Sequence, residues 1–199
     1  MDPSPNARTV ESYEEIAAAY ARETSGPGVL AEAVTRLAEA VPEGRVLDIG
    51  SGPGWDADRL EDAGLTVRRT DLTQAFIDLQ RARGKDVDRL DVINGDLGGP
   101  YDAVLMLHVL QHIEPDDLAD VLGKVVRALR PGGRFLVSIP RGEGIGWEVG
   151  ESGRSYYRAL RTEDEFLDVL RGAGFTPTWT DRSPEDDGWL AVMAQRGEV

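Results

Sequence analysis

The sequence predicts an α/β fold with a mostly parallel sheet and helices on both faces. Strand-like segments alternate with amphipathic helical segments, and this alternation is typical of the βα units that build a parallel sheet. The clearest helix lies at 116–129, where apolar residues recur with a period of about 3.6 residues. The chain of 199 residues is long enough for one domain with a sizeable core. Five strands are expected at 45–49, 65–70, 89–94, 102–107 and 134–139.

Two helices are expected ahead of this domain. Residues 1–10 are polar and contain prolines, so we expect a disordered lead-in. From Ser12, apolar and aromatic residues at helical spacing predict a first helix, and a second is expected over 29–40. The helical part would then occupy residues 11–43, and the α/β domain residues 44–199.

The part of the chain after Pro140 is less regular. Residues 141–154 are rich in glycine and lack periodicity, which favours a long functional or disordered loop. A helix is expected from Thr162, because Glu165 stands at the spacing of a capping box. Two last strands are expected on either side of an acidic turn, at 175–181 and 189–195, with the turn Glu185-Asp186-Asp187-Gly188 between them.

The most informative motif is a glycine-rich turn after the first expected strand. Gly50, Gly52 and Gly54 have no Cβ atom and allow positive φ, so a ligand can lie against their backbone. A helix from about Asp56 would point free N–H groups and its positive dipole end into the same space. Together these features indicate a nucleotide-cofactor site. Trp55 stands where the dinucleotide fingerprint needs its third glycine, which disfavours a dinucleotide.

The run from Asp48 to Gly54, Asp-x-Gly-x-Gly-x-Gly, resembles motif I of the class I S-adenosylmethionine (SAM)-dependent methyltransferases. The resemblance covers about residues 44–140. It implies a three-layer αβα sandwich with a seven-stranded sheet whose last strand is antiparallel, and an N-terminal helical lid. It also implies SAM as cofactor and S-adenosylhomocysteine (SAH) as product. Further matching elements follow in order, namely Asp71, Asn94-Gly95-Asp96-Leu97, Tyr101 to His108, and Leu129-Arg130-Pro131-Gly132-Gly133.

The resemblance implies a set of cofactor contacts. Asp48 and the glycines would hold the methionine part, Asp71 the ribose and Asp96 the adenine. Asp also commonly caps helices and closes turns, so a structural role stays open for both Asp71, before Thr73, and Asp96. The residues expected at the cofactor are Tyr20, Asp48, Gly50, Ser51, Gly52, Gly54, Asp71, Leu72, Asp96, Leu97 and Leu107.

The candidates for a general base are His108 and His112, the only histidines, which follow the fourth expected strand. Imidazole is the natural base near neutral pH, although either ring could instead be semi-buried or bonded to backbone. No metal is expected, because a two-histidine site needs a carboxylate partner and Glu114 has no fixed geometry in the sequence. Side chains that could bind the acceptor, or only pack the lid and the loop, are Tyr13, Arg141, Trp147, Tyr156 and Tyr157.

The composition limits the partners. The net charge of −14 would repel a polyanion, so we expect a small-molecule acceptor and no nucleic acid. No apolar run reaches the roughly 18 residues of a membrane span, and the N-terminus lacks the features of a signal peptide. We therefore expect a cytoplasmic monomer or homodimer without membrane contact. The absence of cysteine excludes disulfides and thiolate chemistry.

These observations predict an enzyme that transfers a methyl group from SAM to O, N or C of a small molecule, without a metal. Three alternatives remain open. The same fold could use SAM for a non-methylating reaction such as cyclisation, or it could sense SAM without turnover. An NAD(P)-dependent oxidoreductase is the third, with Arg68 or Arg69 accommodating a 2′-phosphate.

Overall fold

The computed structural model describes residues 3–26, 28–150, 152–184 and 188–198. The helices are α1 (Pro5–Glu23), α2 (Ala31–Ala40), α3 (Trp55–Asp62), α4 (Gln74–Ala82), α5 (Pro115–Ala128) and α6 (Glu163–Gly172). The strands are β1 (Arg45–Ile49), β2 (Thr66–Asp71), β3 (Val87–Arg89), β4 (Tyr101–Met106), β5 (Leu129–Pro140), β6 (Gly144–Val149), β7 (Ser155–Leu160), β8 (Phe175–Arg182) and β9 (Trp189–Arg196). A short 3₁₀ turn, Leu110–His112, lies between β4 and α5.

Seven of the strands form one sheet in the order β3-β2-β1-β4-β5-β9-β8. The neighbours from β3 to β5 are parallel, whereas β9 is antiparallel to both β5 and β8. This confirms the expected fold class, including the antiparallel last strand. The chain order reverses direction across the sheet between β1 and β4, and ligands of open α/β sheets bind outside the carboxyl ends of the strands at such a point.

Hydrophobic cores lie on both faces of the sheet. On one face α5 and α6 bury Leu122, Val125 and Phe166. On the other face α2 and α3 bury Leu37 and Leu60. Strands that are covered on both faces are expected to be apolar, and this holds for residues 103–106 of β4 and 135–137 of β5. The two cores hold the strand ends that carry the site in fixed register.

The N-terminal helix starts earlier than the sequence pattern suggested. α1 begins at Pro5, and the side chain of Ser4 caps it by accepting from the Ala7 N–H at 3.2 Å. The expectation of a disordered lead-in is therefore wrong for residues 5–10, because the Ser-Pro pair is a helix start. Residues 1 and 2 lie outside the described ranges.

The segment 141–154 was expected to be irregular, and this is wrong for residues 144–149, which form β6. β6 pairs in antiparallel register with β7, so that Trp147 lies opposite Tyr157. Every residue of β6 is exposed, and two of its six residues are glycines, which hid the strand from pattern analysis. The acidic residues 185–187 of the expected last turn lie outside the described residues.

α1 is fastened to α4 through Glu14. Its carboxylate accepts from the backbone N–H groups of Gln74 at 2.6 Å and Ala75 at 2.8 Å. Thr73, the N-cap residue of α4, makes no side-chain cap of its own, so Glu14 satisfies donors that would otherwise have no partner. The negative charge also complements the positive end of the α4 dipole.

The other side of α1 is fastened to β7. The Tyr157 N–H donates to Thr9 Oγ1 at 3.0 Å, and Ser12 Oγ donates to the Ser155 carbonyl at 2.8 Å. α1 therefore bridges α4 and β7, above the carboxyl ends of the strands.

A buried cation joins β2 to α3. Arg69 is only 1% exposed, and it donates from Nε to Glu61 at 2.7 Å and from Nη2 to Asp58 at 2.6 Å. Its Nη1 donates to Gln80 Oε1 at 3.0 Å. Arg69 donates to two carboxylates of α3 and to Gln80 of α4, and such charge-assisted hydrogen bonds are strong. It therefore fixes both helices relative to β2.

Replacing Arg69 by Gln should destabilise the protein by about 2–4 kcal/mol, since removal of one partner leaves buried polar groups uncompensated. Asp58 and Glu61 are 25% and 30% exposed, so water recovers part of the loss. Urea denaturation measures the change. The control Arg36→Gln breaks an exposed pair with Glu32 and a cation–π contact with Trp179, and it should cost only about 1 kcal/mol. Equal losses in the two variants would contradict the role given to Arg69.

Candidate functional site

A pocket opens at the carboxyl ends of β1, β2 and β4. Its walls come from α1, the turn after β1, the end of β2, the start of α4, and the segments after β3 and β4. Ten of the predicted site residues line it, namely Tyr13, Tyr20, Asp48, Gly50, Gly52, Asp71, Leu72, Leu107, His108 and His112.

The glycine turn requires left-handed backbone at each of its glycines. The φ angles of Gly50, Gly52 and Gly54 are 69°, 52° and 86°. A Cβ at Gly50 would clash with Val109, and a Cβ at Gly54 would clash with Gln80. A Cβ at Gly52 would meet nothing within 4 Å. Gly50 and Gly54 are thus required by packing as well as conformation, and Gly52 presents bare backbone to the pocket.

The turn is held from both sides. On the pocket side, Asp71 Oδ2 accepts from the Gly52 N–H at 2.7 Å, and Oδ1 accepts from the Thr73 N–H at 2.8 Å. On the far side, Gln80 Nε2 donates to Ser51 Oγ at 2.7 Å and to the Gly52 carbonyl at 2.8 Å. Asp71 thus has the turn-closing role, and an ionised carboxylate retains acceptor capacity for a further donor.

Four carboxylates line the pocket, from Asp48, Asp56, Asp71 and Asp91, and the described lining residues include no lysine or arginine. Asp48 is buried, and its Oδ2 has no hydrogen-bond partner in the described part of the chain. Burial raises the pKa of Asp48 well above its ordinary value, and Asp56 raises it further. Burial also raises the pKa of Asp56 and Asp71. Such a wall suits a ligand that is a cation or carries several N–H or O–H donors.

The acid predicted near the end of β3 lies outside the pocket lining. Asp96 is exposed and closes a local turn by accepting from the Gly98 N–H at 2.9 Å, and Leu97 is buried in the core. Asp91 lines the pocket instead. The difference arises because β3 ends at Arg89 and not at residue 94 as expected, so the carboxyl end of the strand comes earlier in the chain.

Aromatic residues of α1 cover the pocket. The ring of Tyr13 lies 5.9 Å from those of Tyr20 and Phe76 and 5.0 Å from that of Tyr156. Burial raises the pKa of both Tyr13 and Tyr20, so both hydroxyls stay protonated near neutral pH. Tyr13, Tyr20 and Phe76 line the pocket, whereas Tyr156 packs behind Tyr13.

His112 is engaged through both ring nitrogens. Its Nδ1 lies 2.7 Å from the Tyr157 carbonyl, which can only accept, so Nδ1 carries the proton. Nε2 then accepts from the Tyr13 hydroxyl at 3.2 Å. Burial lowers the pKa of His112 to about 4, so the ring is neutral near pH 7. His112 orients Tyr13 and is not a free base in this arrangement.

His108 differs from His112 in the hydrogen bonding of its ring. Its φ of 58° is unusual for a residue other than glycine, and the Ser138 hydroxyl holds it by accepting from the His108 N–H at 2.9 Å. The imidazole packs edge-on against Trp189, with ring centroids 4.2 Å apart. Within the described ranges its nitrogens make no hydrogen bond. Burial lowers the pKa of His108 to about 4, so it presents a neutral imidazole to the pocket.

The other predicted residues lie away from the pocket walls. Ser51 and Gly54 form the turn behind Gly52, and Arg141 donates to the Ser183 carbonyl at 2.9 Å. The side chain of Trp147 is 40% exposed and lies under the Arg8 guanidinium. The predicted residues absent from the lining are Ser51, Gly54, Asp96, Leu97, Arg141, Trp147, Tyr156 and Tyr157.

Several lining residues were not predicted from the sequence. Asn6, Thr9 and Val10 lie in the first turns of α1, in the segment that was expected to be disordered. Asp56 could have been found, because an acid in the first turn after the glycines faces the same space. Phe76 looked like an ordinary core residue of an amphipathic helix.

Among the described residues, no helix is both long and apolar enough to span a membrane. No group of three or more histidine, aspartate or glutamate side chains in these ranges has the arrangement of a metal site.

Comparisons with known proteins give consistent results. A family model described as a methyltransferase domain matches residues 47–135. A probable SAM-dependent methyltransferase of Mycolicibacterium smegmatis is 34% identical over 111 residues, which are 53% of this chain and 41% of that protein. The chain spans about half the length of the curated relatives it matches.

Solved structures with the same fold belong to proteins that are named for different reactions. A 1,6-didemethyltoxoflavin-N1-methyltransferase of Burkholderia thailandensis, with its substrate and SAH bound, gives a TM-score of 0.77 at 24% identity, covering 99% of this chain and 92% of that one. The [4+2]-cyclase SpnF gives a TM-score of 0.76 at 15% identity, covering 99% of this chain and 97% of that one. At these identities the likeness shows the fold alone.

The pKa of His108 predicts how stability depends on pH. The folded value of about 4 lies below the ordinary 6.5, so the unfolded chain binds a proton that the folded chain does not. This contribution to stability is complete above pH 6.5 and is lost as the pH falls toward 4. Asn tolerates positive φ, so His108→Asn keeps the backbone and removes the titration.

The unfolding free energy of the wild type should therefore fall more steeply than that of His108→Asn between these pH values. The extra loss should be on the order of 2–3 kcal/mol. Denaturant titrations at four or five pH values measure it. Parallel pH profiles for the two proteins would contradict the buried, neutral state assigned to His108.

Proposed function

We propose that this chain, whose residues 47–135 match a methyltransferase-domain model, transfers a methyl group from SAM to a small-molecule acceptor. The acceptor atom is O, N or C, and the released product is SAH. The observation that carries the proposal is the pocket at the glycine turn, with four carboxylates and no lysine or arginine among its described lining residues.

The residues of the pocket fit this cofactor. The buried Oδ2 of Asp48 lacks a partner, and the Gly52 backbone is open to the pocket. Asp48 and the turn would hold the amino-acid part, Asp71 the ribose, and Asp91 would take the adenine side in place of Asp96. When bound, SAM supplies a methyl group activated by a positively charged sulfur, which departs as a neutral thioether.

The chain's own residues would position the acceptor, exclude water and receive a proton. Tyr13 and Tyr20 cover the pocket, and ordering of the reactants in a dry site is the main requirement of such a transfer. His108 is the candidate base, since its ring nitrogens are free, whereas His112 would position Tyr13 through the 3.2 Å hydrogen bond. With a pKa of about 4, His108 is a weak base and suits an acceptor that loses its proton readily.

An NAD(P)-dependent oxidoreductase is less well supported. Arg69 is buried among Asp58, Glu61 and Gln80, and Arg68 is bonded to Asp88 at 2.6 Å, so neither guanidinium faces the pocket. Asp56 and Asp58 occupy the first turn of α3. Their charges oppose a pyrophosphate at the helix end that a dinucleotide would use.

The proposal is tested by binding and then by transfer. Calorimetric titration with SAM, SAH, NADH and NADPH should give saturable binding of the two adenosyl ligands only. Transfer of a labelled methyl group is then followed across acceptors with hydroxyl, amine and activated carbon groups. Binding only of a nicotinamide cofactor would refute the proposal. Tight SAM binding without transfer to any of these acceptors would favour a cyclase-like or sensing role.

The assignment of Asp91 gives a matched pair of variants. Asp91→Asn should weaken SAH binding about ten-fold, or about 1.4 kcal/mol, because the pocket loses a charged acceptor. Asp96→Asn makes the same chemical change at an exposed residue outside the pocket lining, and it should leave SAH affinity unchanged. The reverse order of effects, measured by calorimetry, would restore Asp96 as the adenine-side acid.

A further inference from the structure

We propose that the acceptor is an aromatic acid, bound as an anion beside Trp189 with its negative charge facing Arg158 and its attacking atom near His108. This inference rests on the proposed methyl transfer and specifies the substrate class of that site. Its evidence is the separation of charge across the sheet and one incompletely paired arginine.

The acids of the pocket all lie on one half of the sheet. Asp48 is the last residue but one of β1, Asp71 ends β2, and Asp91 follows β3, in the adjacent strands β3-β2-β1. Asp56 lies in the first turn of α3, which follows β1. The opposite side of the pocket begins at β4 with His108, and Trp189 starts β9, two strands further along. A cationic cofactor is favoured on the first half, which leaves the second half for the acceptor.

Arg158 is the basic residue that acts on this second half. It lies on β7, and its guanidinium is 5.9 Å from the centre of the Trp189 ring. Burial is the main cause of the low pKa of His108 and His112, and the positive charge of Arg158 lowers the pKa of both further. The positive charge of Arg158 therefore acts on both histidines of the pocket.

The pairing of Arg158 is incomplete. Its Nη1 donates to Glu148 at 2.9 Å, but Glu148 is 51% exposed, and an exposed pair is worth little. Its Nε is buried and has no hydrogen-bond partner in the described part of the chain. A buried, unpaired N–H of a guanidinium is costly, and an organic anion at this position would offset that cost.

The neighbouring surfaces suit an aromatic ring. Trp189 is outside the pocket lining but packs against His108, with ring centroids 4.2 Å apart. Val109, the next residue after His108, also lines the pocket. An anionic acceptor also suits the weak basicity of His108. Arg158 would lower the pKa of an acidic hydroxyl on the acceptor, so less proton removal is required of the imidazole.

The test uses three probes of one shape on the SAH-saturated protein, namely 4-hydroxybenzoate, its neutral amide 4-hydroxybenzamide, and the cationic 4-hydroxybenzamidine. Affinities are measured by ligand-observed NMR. The benzoate should bind at least about ten-fold more tightly than the amide, and the amidine most weakly. Arg158→Gln should bring the benzoate-to-amide ratio to about one, with SAH affinity unchanged. Arg158→Lys keeps the charge and should keep most of the preference.

Two further variants serve as controls. Glu148→Gln removes the competing carboxylate and should increase the preference for the benzoate. Arg171→Gln removes one positive charge from α6, where Arg171 pairs with Asp168 in an exposed position, and it should leave the benzoate-to-amide ratio unchanged. The inference is overturned if the amide or the amidine binds as tightly as the benzoate, if Arg158→Gln keeps the preference, or if no probe binds. Failure of SAH itself to bind would instead refute the proposed function.

Discussion

The glycine turn depends on the buried contact between Arg69 and Gln80. Arg69 fixes the Gln80 amide through a 3.0 Å hydrogen bond to its Oε1, which orients the Nε2 group toward Ser51 and the Gly52 carbonyl. The missing Cβ of Gly54 leaves the room that both side chains occupy. The same contact keeps the guanidinium behind the turn and out of the pocket. One cation thus shapes the site and leaves its walls acidic.

Charged and neutral side chains are separated along the sheet in this arrangement. Carboxylates collect where β1, β2 and β3 end, and neutral imidazole and indole rings follow at β4 and β9. α1 closes the space above them, tied to α4 by Glu14 and to β7 by Thr9. The sheet order therefore fixes where a cation and its reaction partner would meet, while the fold alone leaves the reaction open.

The features of the site that depend on short stretches of sequence could be predicted. The strand before Gly50, the turn itself and Asp71 could be predicted, because they follow from short-range pattern and backbone geometry. Asp91 was missed because the length of β3 depends on its pairing with β2, which covers only three residues. The different hydrogen bonding of His108 and His112 could not be predicted from the sequence either. It depends on the Tyr157 carbonyl, 45 residues from His112, and on Trp189, which strand order brings to His108.

The most direct test is a crystal structure of the protein with SAH. The account predicts the nucleoside in the pocket beneath α1, with Asp71 and Asp91 within hydrogen-bond distance of it, Asp96 remote from it, and the Arg69–Gln80 contact unchanged. Space beside His108 and Trp189 should remain for an acceptor. SAH bound elsewhere, or bound with Arg69 turned into the pocket, would contradict the account.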